Sequence, residues 1–239
     1  MKIASSSASF DRALAARELT QLEWLDLCAA ELELDGVVFD AVHFPRTDFD
    51  YLAQLKKIAV DLGLTVAGLH APGLLGVDGT RWLEIAGTLG APLAIFEAPP
   101  ASTEPSAWSE FTASLKPVAG AAKRANVALA LRNDPATLCA SIADCKRVTK
   151  DIDSAWLRFA LATDSLGALD RGDDLIAKTV IATHRVANVA SFALGDDAEA
   201  RKLIEAVRGY RGFVAIDRND QSGARDAFHA ALERFGSIS

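Results

Sequence analysis

Short apolar runs in this chain end again and again in groups that can carry a proton or a charge. Asp40 and His43 follow GVVF, His70 closes TVAGLH, Glu97 closes PLAIFE, and Arg132 with Asp134 ends VALALRND. Asp164 follows LRFALAT, His184 falls within TVIATHRV and Asp217 closes FVAID. Imidazoles and carboxylates gathered at one place can move a proton between neighbouring carbons of a hydroxy or keto compound. A guanidinium beside them can grip a carboxylate, a phosphate or a sugar hydroxyl. The acid/base candidates are therefore His70, Glu97 and Asp217, with Asp164 and His184 as further ones, and Arg132 is the electrostatic clamp. Ser6, in the hydroxyl run Ser5–Ser7, joins Asp40, His43, Asp134 and Asp164 as a substrate-binding candidate, although serines at a strand end also serve to satisfy backbone groups. A competing reading makes Arg132, Glu97 and Asp217 a structural charge cluster. No Ser/His/Asp nucleophile motif, GxGxxG or GxxxxGK[ST] is present, which leaves dinucleotide and P-loop chemistry without support.

These groups need elements to hold them. From Leu34 to Pro72 the chain reads as strand, loop, amphipathic helix, Gly-marked stop and second strand, a βαβ unit whose helix repeats Leu52, Leu55, Ile58, Ala59 and Leu62 at helical spacing. Eight strand-like runs recur, beginning at Lys2, Gly36, Thr65, Pro92, Val127, Leu157, Thr179 and Phe213. Helical patterns lie between them, at Leu19–Leu32, Arg81–Leu89, Ala107–Ala125, Ala136–Lys150, Ala198–Val207 and Ala224–Phe235. Strict alternation predicts a parallel sheet and eight units predict closure, so the expected fold is α/β, a (β/α)8 TIM barrel formed as a single domain over residues 1–239. In such a barrel the bulkier aliphatic residues face the helices. That parity turns Val127, Leu129, Leu131, Leu157, Phe159, Leu161, Val214 and Ile216 outward. Arg132, Asp134, Asp164 and Asp217 are left facing the interior and the mouth at the carboxyl ends of the strands, where barrel active sites form.

The formal net charge of −7 and a pI near 5.1 would repel a phosphate backbone and an anionic membrane surface, so neither nucleic acid nor membrane is an expected partner. Cys28, Cys139 and Cys145 lack CxxC spacing and suit buried thiols in a reducing compartment. The N-terminus has no apolar core of a signal peptide, and no apolar run reaches membrane-spanning length. A cytoplasmic protein, monomeric or homodimeric, is expected, acting on a small carbohydrate-like ligand.

The segments DGVVFDAVHFP from Asp35, DYLAQLKKIAVDLGLTVAGLHAP, and ALRNDPATL with its following SAWLRFAL resemble the xylose-isomerase-like TIM barrels, a family that includes sugar phosphate isomerases and epimerases. The resemblance covers most of the chain. It implies a divalent metal (manganese, magnesium, zinc or cobalt) held by a Glu after strand five, an Asp after strand six, a His around strand seven and a Glu after strand eight. Such a metal would polarise the oxygens of a sugar while paired carboxylates shuttle protons. The chain departs from this pattern. Arg132 stands where the first Glu would be, and Ala162 or Thr163 where the Asp would be, with Asp164 as a displaced substitute. Asp217 matches the last acidic position with a shorter side chain, and His184 matches the strand-seven His after a shift of register. Because a guanidinium repels a metal cation, the expected site is a degraded metal centre in which Arg132 takes over the charge role, paired with Glu97 or Asp217. Two functions follow as expectations: a divergent isomerase or epimerase working by proton transfer, or a metal-free barrel that binds a sugar-type or anionic ligand without turnover.

Overall fold

Side-chain size alternates along the strands and sorts the interior into two separate apolar cores. The computed structural model describes residues 2–162, 175, 178–186 and 211–218, and only the backbone of 182–186 and 217–218. Its strands are β1 (Lys2–Ser6), β2 (Gly36–Asp40), β3 (Thr65–His70), β4 (Leu93–Glu97), β5 (Ala128–Arg132), β6 (Leu157–Ala162), β7 (Thr179–Val186) and β8 (Phe213–Arg218). They pair in parallel and in sequence order, and β8 closes on β1. Among the described residues the barrel interior is filled from the strands, mostly by small side chains: Ala4, Val38, Ala67, Leu93, Ile95, Ala130, Ala160, Ile181 and Ala215. The bulkier set lies in a second core between strands and helices. Leu129, Leu131, Phe159, Leu161, Val214 and Ile216 pack there with Leu52, Leu55, Leu83, Phe111 and Leu115 of the helices. The outward-facing set read from the sequence is the one the structure has, and the inward direction expected for Asp164 and Asp217 falls on side chains outside the described ones.

The α-helices among the described residues are α1 (Asp11–Ala15), α2 (Gln21–Asp26), α3 (Phe49–Asp61), α4 (Gly79–Leu89), α5 (Ala107–Ala125) and α6 (Ile142–Ile152). The pattern from Leu19 to Leu32 resolves into α2 followed by a π-helical turn, Leu27–Glu31, and Thr20 with Glu23 forms a capping box at its start. The pattern from Ala136 overshoots. Asp134 Oδ1 accepts the N–H of Ala136 at 2.8 Å, holding a turn, and Ser141 with Asp144 forms the capping box that starts α6 six residues later. The helical patterns expected at 198–207 and 224–235 lie outside the described residues. Trp24, Trp82, Trp108 and Trp156 all pack in or against the strand–helix core.

One irregularity decides where the chemistry points. The β2–β3 register runs Val37 to Val66 and then Val38 to Gly68, so Ala67 is an extra residue, a β-bulge. Such a slip reverses the alternation that follows. Val66 and Leu69 both reach the outer core and Ala67 the inner one, which brings His70 onto the same side as the barrel interior. Glycine suits the bulge, since a Cβ on Gly68 would sit 3.0 Å from the Cδ1 of interior Ile95.

Candidate functional site

Four neighbouring strands, β2 to β5, end on Asp40, His70, Glu97 and Arg132. Asp40 and His70 are register partners, and so are Glu97 and Arg132. Strand pairing alone thus sets two pairs of functional groups side by side at the mouth of the barrel, and the side chains join them into one row. His70 Nδ1 lies 2.7 Å from Asp40 Oδ2, and its Nε2 lies 2.8 Å from Glu97 Oε2 and 3.0 Å from Oε1. Glu97 Oε1 lies 3.8 Å from an amino nitrogen of Arg132.

Ionised carboxylates only accept hydrogen bonds, so with one on each ring nitrogen the imidazole of His70 carries both protons. Burial works against that charge, but hydrogen bonds and Coulomb attraction from Asp40 and Glu97 outweigh it and raise the His70 pKa to about 10. The carboxylates respond in kind. Burial would raise the pKa of Glu97, but His70 and then Arg132 hold it below the ordinary value. Asp40 is likewise lowered against its burial, by His70, by the N–H of Val42 and by His43. The row therefore alternates in sign: Asp40 negative, His70 positive, Glu97 negative, Arg132 positive. Glu97 is the more open carboxylate, its side chain 25 % exposed against 9 % for Asp40.

The remaining candidates are placed as follows. Ser6 Oγ accepts the N–H of Ala8 and caps the 3-10 turn Ser7–Phe10, which occupies it locally. His43 lies one layer behind the row, its Nε2 2.9 Å from Asp11 Oδ1 and its Nδ1 2.9 Å from Ser7 Oγ. Asp134 holds the turn after β5 described above. Asp164 lies outside the described residues. His184 and Asp217 lie on β7 and β8, paired in register with Ile216 and Arg185. The reading of the sequence passed over Asp11 and Asn133, and held Ser7 only as part of the hydroxyl run. Ser7 Oγ accepts the Asp40 N–H at 2.8 Å, Asp11 holds His43, and fully buried Asn133 accepts the N–H of Ala162 at 2.8 Å, tying the ends of β5 and β6 together.

The described residues do not fit a divalent cation. Arg132, 7 % exposed, puts a permanent positive charge at the end of β5, and β6 ends in Ala162, which offers no ligand. Among the described residues no three His, Cys, Asp or Glu side chains are grouped to hold a metal ion. No helix among them is long and apolar enough to cross a membrane.

Residues 28–198 match the sequence model of a family described as xylose isomerase-like TIM barrel. No curated protein sequence matches the chain. Among solved structures, the "probable 3-DHS dehydratase AsbF" of Bacillus anthracis superposes with a TM-score of 0.78 at 12 % identity, covering 99 % of each chain. D-psicose 3-epimerase of Clostridium cellulolyticum H10, solved with D-tagatose, gives 0.72 at 15 %, covering 99 % of this chain and 98 % of its own. The IolI protein, solved with a zinc atom, gives 0.73 at 13 %, covering 100 % and 98 %. At these identities the likeness is one of fold.

Proposed function

The chain belongs to the xylose isomerase-like TIM barrel family, and on that footing we propose that it moves protons on a small polyhydroxy or keto compound at the carboxyl-end mouth of its barrel, as a divergent isomerase or epimerase. The observation that carries this reading is His70 held between Asp40 and Glu97, with Arg132 beside Glu97, on the ends of four successive strands. Sugar epimerases among the structural neighbours support the substrate class.

The chemistry follows from the alternating charges. Glu97 is the base: it takes the proton from a carbon next to a carbonyl. The negative charge then leaves Glu97 and appears on the substrate oxygen as an enediolate, facing the imidazolium of His70 and the guanidinium of Arg132. Two fixed cations face one mobile negative charge before and after the transfer, so the buried site changes no net charge and needs little reorganisation. That compensation answers the objection that a carboxylate of lowered pKa is a weak base, because the cations that lower it are the ones that stabilise the product of the transfer. Return of the proton from the same carboxylate to the neighbouring carbon, with the hydroxyl proton passing from one oxygen of the enediolate to the other, gives isomerisation, and protonation of the original carbon on its other face by a second group gives epimerisation. Asp217 and His184, on the strands opposite, are the proposed second acid/base groups, and Asp40 a positioning and substrate-side carboxylate. No step runs through a metal.

The replacement of two expected metal ligands, by Arg132 and by Ala162 or Thr163, favours a second reading, a barrel that binds a sugar-type or anionic ligand without turnover. The two separate experimentally. D-psicose, D-tagatose, 3-DHS and sugar phosphates are screened by the rise in thermal unfolding midpoint that a ligand of the native state produces, and every hit is assayed for conversion by NMR. Conversion supports the enzyme; a hit with no conversion supports the binder. We further place the protein in the cytoplasm, as one unit over residues 1–239, monomeric or homodimeric.

A further inference from the structure

Behind the charged row runs a second chain of hydrogen bonds that joins segments more than 30 residues apart. It begins at the backbone of Asp40, whose N–H donates to Ser7 Oγ at 2.8 Å. Ser7 Oγ lies 2.9 Å from His43 Nδ1, and His43 Nε2 lies 2.9 Å from Asp11 Oδ1. The two ends of the chain have fixed directions. The Asp11 carboxylate can only accept, so Nε2 of His43 bears a proton and donates to it. The oxygen of Ser7 keeps its lone pairs for the Asp40 N–H. The chain ends at the surface, where the Asp11 side chain is 64 % exposed while that of His43 is 3 % exposed.

This chain can hold Asp40 but cannot pass it a proton, because it enters through the amide N–H and not through the carboxylate. The carboxylate has its own tether: Oδ1 accepts the N–H of Val42 at 3.1 Å, which leaves Oδ2 turned to His70. With the amide and one oxygen both fixed, the second oxygen has little freedom to leave the imidazolium. We propose that Ser7, His43 and Asp11 are positioning residues that hold the Asp40 carboxylate against His70, so that the turn leaving β1 sets the charge state of a group at the end of β3. The proposal rests on the reading of His70 as part of the acid/base row, but its test reads His70 directly and needs no substrate.

The His70 ring is titrated by long-range proton–nitrogen correlation in 15N-labelled protein, with His70→Gln used to assign it among the four histidines. Loosening Asp40 weakens the hydrogen bond and the attraction that oppose burial, so Ser7→Ala and His43→Leu each lower the His70 midpoint by about one unit, roughly tenfold in the protonation equilibrium. His43→Asn, whose side-chain oxygen stands near the place of Nδ1 and can accept from Ser7, recovers at least about half of that loss. Ser141→Ala removes a helix cap away from the row and leaves the midpoint unmoved. An unchanged midpoint in Ser7→Ala and His43→Leu overturns the proposal, and so does an equal shift in Ser141→Ala. If Ser7→Ala does not fold, the comparison of His43→Leu with His43→Asn decides alone: a shift without recovery, or no shift, overturns it. Loss or survival of turnover in His70→Gln bears on the function of the row and is read separately.

Discussion

The imidazole of His70 meets the carboxylate of Asp40 at 2.7 Å because each residue is the last of its strand and the two are partners in register. That register exists only because Ala67 is inserted opposite no residue of β2. A single extra residue thus decides whether the histidine faces the charged mouth or the helices, and the acid/base row depends on it.

Stability should record this pairing as a function of pH. His70 has an ordinary pKa of 6.5 when unfolded and about 10 when folded, so the folded chain keeps a proton that the unfolded chain has lost between those values. The stabilisation is complete below pH 6.5 and is lost as pH rises through 10, at up to about 1.4 kcal/mol per pH unit. Asp40 and Glu97, lowered in the fold, act oppositely: their contribution is present above the ordinary carboxylate range and is lost as pH falls through their folded values. Urea unfolding across pH 6 to 10.5 should therefore show a falling slope in the native protein that His70→Gln removes.

Arg132→Glu should raise the affinity of the barrel for a divalent metal. The substitution places a carboxylate at the end of β5, next to Glu97, where the family pattern has a ligand. Without metal it is destabilising, because two carboxylates then face each other in a largely buried place, at a cost of about 3 kcal/mol. With manganese, cobalt or zinc the variant should regain stability in a saturable way, measured by its thermal midpoint, while the native protein shows no comparable rise. Loss of stability with no response to any of the three metals would remove the idea that Arg132 stands in for the cation.

Packing of the outer core should be separable from the chemistry. Phe159 is fully buried between strand and helices, so Phe159→Ala should cost about 3 to 5 kcal/mol in urea unfolding. Ser141→Ala, which removes the hydroxyl half of the α6 capping box, should cost about 1 kcal/mol. Neither substitution should change ligand affinity by more than the fraction unfolded explains.

The barrel itself was legible because it rests on alternation, which is local. Leu129, Leu131, Phe159 and Ile216 announce their faces by size. His70 and Glu97 could be picked out because each closes an apolar run, and Arg132 could be narrowed to a partner in Glu97 or Asp217, but the bulge at Ala67 that turns His70 to the mouth breaks the parity and left no mark in the pattern. Ser7, Asp11 and the role of His43 could not be picked out. Their bonds span more than 30 residues and depend on a 3-10 turn bringing the exit of β1 beside the exit of β2, for which a run of serines gives no distinct signal. The same run suggested Ser6, whose hydroxyl caps that turn while its neighbour makes the long-range contacts. The start of α6 was misread because Ala136 and Leu138 continue the helical spacing, whereas Asp134 and Ser141 hold the backbone in a turn and a cap that outweigh it.

The most direct test of the central claim is exchange of carbon-bound hydrogen with solvent. Each compound that raises the unfolding midpoint is incubated in D2O with the native protein and with Glu97→Gln, and deuterium at the carbons next to the carbonyl is followed by NMR. The account predicts incorporation with the native protein and a loss of about a hundredfold or more with Glu97→Gln, the ordinary weight of a general base. A ligand that binds but gains no deuterium from the native protein, or exchange that proceeds equally well in Glu97→Gln, would contradict it.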